Sequence, residues 1–310
     1  LILYKSKFQL YMKIYDCFQF FDEEMLLDLR LNIMDRYIDK FIITEATYTH
    51  NGKSKKLIFD INKFSKFKDK IIYIAIDKQP PDLHKIYDSD KDEKDTRGQK
   101  LVLNGYKRDN YQRQMAIKEL KNLDPEDWIL INDIDEIPNL DNVNLKEINN
   151  RIILFKQKIF YYKFNLLYQS VPWFGSKACK KKNFHSPQWL RNIRQKKYPL
   201  WRIDTLFSKK KYTNVRIIQN GGWHFTNIKS PEDIEKKFLN YTHHYEFESS
   251  GLKINDIKKI VKEKKVLYDL SQDQTGYKWG AKTSLAKVDL SELPDYLKNN
   301  SKKYNNWLDI

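Results

Sequence analysis

A chain of 310 residues with 32% charged and 14% aromatic side chains can fill one sizeable core or two small ones, and its composition is globular, not that of a disordered chain. Lys and Arg number 57 against 41 Asp and Glu, a formal net charge of +16, so anionic partners are favoured: nucleotide phosphates, acidic glycans, nucleic acid or a membrane surface. Cys17 and Cys179 provide neither a disulfide framework nor zinc-ligand spacing. Residues 1–11 are broken by Lys5 and Lys7 and match neither a signal peptide nor a membrane span. The expectation is a cytoplasmic protein, with at most peripheral contact to an anionic membrane. Met12 is a candidate start, leaving 1–12 as an N-terminal extension.

In chain order, residues 13–20 read as a strand, and Asp22 as the cap of a helix over about 23–34 with Met25, Leu26, Leu29 and Ile33 on one face. Residues 41–44, 71–76 and 128–131 read as further buried strands. Between them lie a polar loop with an Asn51-Gly52 turn and a long charged stretch, 77–99, of the kind that forms a functional lid or a disordered insert. A helix is expected to open at Asp109 and run to about Leu120. This alternation predicts a mostly parallel central sheet of the nucleotide-binding kind. Beyond Pro138, residues 151–155, 159–164, 205–207, 215–218 and 223–225 read as strands without intervening helices, which predicts an antiparallel, acceptor-side half. Helices follow at Pro231 and Ile254, and the polar remainder is expected to wrap the core loosely.

The chemistry concentrates where the strand 128–131 ends in Asp133, Asp135 and Glu136, before Pro138 stops it. Carboxylates at the carboxyl end of a buried strand sit where open α/β sheets bind ligands, and like charges this close need a neutralising cation. Mg²⁺ or Mn²⁺ bridging a nucleotide diphosphate fits oxygen ligands of this type, whereas the plainer alternative is a strand-end turn. In 220–225, a Gly pair permits close backbone approach, Trp223 can stack on a sugar or base, and His224 is either structural or a proton-transfer group. Glu246 stands out in the polar cluster 243–246. Arg108 and Arg113, placed near the start of a helix, suit a diphosphate or a solvated surface equally. Trp173, Trp189 and Trp201 are core residues or a sugar-stacking platform.

Taken in register, these blocks resemble glycosyltransferase family 17. The opening strand 13–21, the helix 26–31, the loop 39–46 with Thr49, Gly52 and Lys55, and Arg108, Gln112 and Arg113 carry the first half of the likeness. The blocks 132–138, 222–225 and 244–246 carry the second, so that 13–250 is covered and 251–310 is left as a C-terminal extension. The resemblance implies a GT-A-like fold, UDP-N-acetylglucosamine as donor, a divalent metal, inversion and, by analogy, a β-1,4 linkage. It makes Asp135 the main metal ligand, Asp133 a contact to ribose or metal, and His224 a late ligand. Glu45, Thr49, Lys55, Arg108, Arg113, Asp133 and Trp223 fall on the donor side. Inversion needs a base for the acceptor hydroxyl, for which Glu136, Asp204 and Glu246 are the candidates. The acceptor is expected to be a glycan or lipid-linked glycan. Two other readings fit less of the sequence: a haloacid-dehalogenase-like phosphohydrolase, disfavoured by Glu136 following the second Asp, and a basic nucleic-acid-binding protein, disfavoured by the acidic knot.

Overall fold

The apolar runs become adjacent strands. β1 (Ile14–Gln19), β2 (Lys40–Ala46) and β3 (Ile71–Ile76) pair in parallel, and β4 (Trp128–Ile131) lies parallel to β1 on its other side. All four residues of β4 are buried, as expected of a strand covered on both faces, where an unbroken apolar run replaces alternation. The computed structural model describes residues 12–91, 96–141, 143–272, 278–280 and 283–310. The later strands are β5 (Glu136–Pro138), β6 (Ile152–Phe155), β7 (Gln157–Tyr161), β8 (Leu166–Trp173), β9 (Lys177–Lys180), β10 (Val215–Ile218), β11 (Gly222–Thr226) and β12 (Ala286–Lys287). They complete a seven-stranded sheet, β10-β6-β9-β4-β1-β2-β3, and build a five-stranded one, β12-β8-β7-β11-β5. The architecture is mixed α/β.

The helices are α1 (Glu24–Met34), α2 (Thr96–Gln114), α3 (Ile117–Leu120), α4 (Pro187–Arg191), α5 (Pro231–Asn240), α6 (His244–Ser250), α7 (Ile254–Lys262) and α8 (Asp295–Asn299). α1 is buried on more than one face: Leu26, Leu27, Leu29, Leu31 and Met34 join the main core. Arg30, also fully buried, grips Asp16 of β1 with Nε–Oδ2 at 2.8 Å and a second bond at 2.7 Å, and donates to the Glu136 carbonyl at 2.6 Å. One guanidinium therefore fixes β1, α1 and the acidic turn after β4 relative to each other. α5 starts on a Ser230 cap with Pro231 in its first turn, the arrangement the sequence signals.

Several expectations are corrected. Asp22 does not cap α1; it pairs with Lys229, and the Glu23 carboxylate accepts from the backbone N–H groups of Phe21 and Asp22. Asp109 does not open a helix, because α2 already begins at Thr96, so Arg108 and Arg113 stand in its closing turns. Gly105 lies within that helix because the Thr242 carbonyl would come within 3.1 Å of a β-carbon there. Residues 92–95 of the expected lid lie outside the described residues. The second half is not simply antiparallel: β6 and β10 pair in parallel, as do β7 and β11. Residues 205–207 form no strand, and a short 3-10 turn, Ile203–Thr205, stands there in an exposed loop. Nor does the C-terminal stretch wrap loosely. Leu293, Leu297, Tyr304 and Leu308 enter the main core, and Val266, Leu267 and Leu285 enter a second one with α5, α6 and α7. Among the described residues, no helix is long and apolar enough to cross a membrane.

Candidate active site

The last residues of β1, β2, β7 and β11 (Gln19, Ala46, Tyr161 and Thr226) line one cavity of about 540 Å³, which the turn after β4 also enters through Asp133 and Asp135. A cavity at strand carboxyl ends is where an open α/β sheet leaves backbone groups and loops free to meet a ligand. Its floor is charged. Asp133 Oδ1 lies 3.0 Å from Arg113 and its Oδ2 2.7 Å from Arg191. Burial pushes the Asp133 carboxyl upward, but the two guanidinium groups outweigh it and hold the group well below the usual carboxylate range. Arg113 is in turn held by Asp109, Gln188 and Gln19.

Glu136, fully buried behind Asp133, takes a two-pronged bond from Arg191 at 2.6 and 2.9 Å, the Trp173 indole N–H at 2.6 Å and the Asp133 backbone N–H at 2.7 Å. Asp135 turns the other way. Its Oδ2 lies 3.6 Å from His224 Nε2 and 3.9 Å from Lys237 Nζ. Burial raises its carboxyl, and His224 and Lys237 more than reverse this. The His224 ring stacks on Trp173, with centroids 4.7 Å apart, and its Nδ1 is buried without a hydrogen-bond partner among the described residues. Tyr106, Tyr241, His243 and Tyr268, whose rings cluster around His243, give the cavity an aromatic wall. His243 connects Glu246, at 3.0 Å from Nδ1, with the Tyr106 hydroxyl, at 3.2 Å from Nε2.

The cavity thus collects Asp133, Asp135, Arg113, Lys55 and His224, with Glu246 reaching it through His243. Three residues are supports. Glu45 is fully buried, accepting from Lys55, from the backbone of Ile58 and Phe59 and from Tyr73, and so holds the strand-following loop in place. Thr49 bonds Asn51 within the turn, and Glu136 is fully engaged as described. Three others are absent from the cavity lining. Arg108 bonds Gln79 and the His50 carbonyl, and the Trp223 indole donates to the Glu292 carbonyl. Asp204 pairs with Arg202 and Lys211 in the exposed loop. Trp173 lines the cavity, Trp189 packs against Tyr212, and Trp201 is exposed. Sequence reasoning missed Arg191, Tyr241, His243 and Lys237. The one local signal for Arg191 was the Ser186-Pro187 start of its short helix, where Ser186 accepts from the Trp189 backbone.

Among the described residues, no group of three or more His, Cys, Asp and Glu side chains is assembled around a common point. Asp135 and His224 converge at the end of the acidic turn, an oxygen and a nitrogen donor facing the cavity. That fits a divalent cation that keeps its remaining positions for substrate phosphates and water.

Fold and cavity together define an α/β protein with a ligand-sized site of mixed charge and aromatic walls. Residues 4–309 match glycosyltransferase family 17, and the chain belongs to that family. It is 29% identical over 126 residues to the human beta-1,4-mannosyl-glycoprotein 4-beta-N-acetylglucosaminyltransferase, covering 38% of this chain and 20% of the relative. The rat protein of the same name is 29% identical and the mouse protein 28%, with the same coverage. The match therefore spans about a fifth of the length of these relatives.

Proposed function

We propose that this chain transfers N-acetylglucosamine from UDP-N-acetylglucosamine to a hydroxyl of a glycan or lipid-linked glycan, with inversion, on a GT-A-like fold. The observation that carries the reading is the cavity floor. There the Asp135–His224 pair and the Arg113 and Arg191 guanidinium groups surround one acidic turn at the end of β4. The β-1,4 linkage is taken from the names of the mammalian relatives.

Each group then has a task. Asp135 and His224 would hold Mn²⁺ or Mg²⁺, which when bound supplies neutralisation of the departing diphosphate. Arg113 and Arg191, whose terminal N–H groups are held by Asp133, Glu136 and their neighbours, supply fixed positive charge beneath the diphosphate. Trp173 and Tyr241 offer faces on which a sugar or base can stack. His243 Nε2, where the Tyr106 hydroxyl sits at 3.2 Å, takes the acceptor hydroxyl proton once the acceptor displaces that hydroxyl, its ring oriented by Glu246 at Nδ1. Both Asp133 oxygens are bound to guanidinium groups, which disfavours the nucleophilic role a phosphohydrolase would need.

The test is thermal shift against a panel of nucleotide sugars with and without Mn²⁺. At a hundred times the dissociation constant, UDP-N-acetylglucosamine should stabilise the chain by about 2.7 kcal/mol. Asp135→Ala should remove the metal-dependent part. Absence of any metal-dependent stabilisation by a UDP-linked sugar would sink the proposal.

A further inference from the structure

Outside the cavity, the surface carries the loop that leaves α4 after Ile193 and returns to β10. Leu200, Trp201, Ile203, Leu206 and Phe207 are between 70 and 89% exposed, five large apolar side chains within eight residues. Single exposed apolar residues need no explanation, but a contiguous group of this size marks a contact surface. The loop is not an unstructured excursion. Its neck is closed where the Arg194 N–H donates to the Lys210 carbonyl at 2.8 Å and the Tyr198 N–H to the Tyr212 carbonyl at 3.2 Å. Trp189 ties the same neck by donating to the Lys209 carbonyl, and Tyr198 is buried at its base. Inside the loop, Asp204 is gripped by Arg202 and Lys211, which shapes the tip so that the apolar side chains face outward.

The charge is arranged to match. Between residues 194 and 211 seven basic side chains stand against one acid, Asp204. Lys196, Lys197, Lys209 and Lys210 are exposed, and the neck contacts bring the two lysine runs side by side. A basic collar below an apolar tip with a Trp is the layout of a segment that lies in a bilayer interface: the rings and aliphatic chains enter the acyl boundary while the ammonium groups meet lipid phosphates. A second copy of this chain is a poorer occupant, because a symmetric contact would bring two such collars together.

We infer that the loop 194–211 docks the protein on an anionic lipid bilayer, with Leu200, Trp201, Ile203, Leu206 and Phe207 inserted and the lysine collar on the headgroups. Residues Gln188, Arg191 and Asn192, immediately before the loop, line the cavity, so docking would hold the cavity next to the membrane surface. The inference does not depend on which donor or acceptor the cavity takes.

Vesicle co-sedimentation of the full chain tests it. The protein should pellet with phosphatidylcholine vesicles containing about one third phosphatidylglycerol, and much less with phosphatidylcholine alone, in a salt-sensitive way. The double substitution W201S/F207S should weaken this by about tenfold or more, and replacing Lys196, Lys197, Lys209 and Lys210 by Gln by on the order of a hundredfold at low salt. Both variants change exposed side chains, so an unchanged melting temperature serves as the check on folding. No pelleting with anionic vesicles at low salt overturns the inference. So does undiminished pelleting of W201S/F207S, which would leave charge attraction alone. A wild-type oligomer in lipid-free solution that W201S/F207S dissociates would assign the patch to a second copy instead.

Discussion

Asp133 lies between Arg113 and Arg191, and its ionised form is favoured although the group is partly buried. A carboxyl depressed in this way stabilises the fold at pH values above its unfolded value, about 4, and loses that contribution as pH falls toward its lower folded value. His50 acts in the same direction: burial lowers its pKa, so protonation below about pH 6.5 is resisted by the folded state. Asp133→Asn should therefore be less stable than the wild type at pH 7, leaving two guanidinium groups with one anion fewer. The gap should close as the pH drops below about 4. Urea midpoints at neutral and acid pH measure this, and a gap independent of pH would show that the pairings do not set the carboxyl. Asp133, Asp135 and Glu136 were legible together because three carboxylates end one apolar strand. Their division of labour was not, because it depends on Arg191 and His224, 58 and 89 positions after Asp133 and Asp135 in sequence.

At the scale of elements, the turn between β8 and β9 decides the geometry of the acidic turn. Gly175 passes so close to Glu136 that a β-carbon would overlap its carboxylate and the Trp173 indole nitrogen, and its carbonyl accepts from Arg191 at 2.6 Å. Gly175→Ala should displace Glu136 from Arg191, lower stability by about 2 kcal/mol or more, and weaken donor binding. Chemical denaturation and nucleotide-sugar titration check both effects; wild-type stability with wild-type binding would show that the close approach is not needed. The sequence makes β1, β2, β3 and β4 readable because each is an apolar run between polar breaks. It hides α2, whose 19 residues are largely polar and include Gly98 and Gly105, so only the end nearest the arginines attracts attention. Gly98 is accommodated by the Tyr245 ring and Gly105 by Thr242, both contacts from α6 or the residues before it.

For the whole molecule, the C-terminal residues are part of the main core. Tyr304 is 1% exposed, meets the edge of Phe164 and donates to Asp28 of α1 at 3.0 Å. Removing that ring should cost about 3–5 kcal/mol, as for other large buried aromatics. Urea unfolding of Tyr304→Ala measures it, and a loss below about 1 kcal/mol would mean that the segment is peripheral to stability. The net charge of +16 is also a property of this scale, and the loop 194–211 sets seven of its basic side chains beside exposed apolar ones.

What the amino-acid sequence determined by itself was the family, the parallel strands of the first half and the acidic turn at the end of β4. Each of these is written in residues adjacent along the chain or in blocks whose order is kept. Tertiary structure alone decided which of the expected residues share the cavity. It brought in Arg191, Tyr241 and His243, left Arg108 and Trp223 off the cavity lining, and placed Asp204 in an exposed loop. The physical reason is that neutralising a buried carboxylate takes a partner within about 4 Å, and the fold can draw that partner from any distance along the chain.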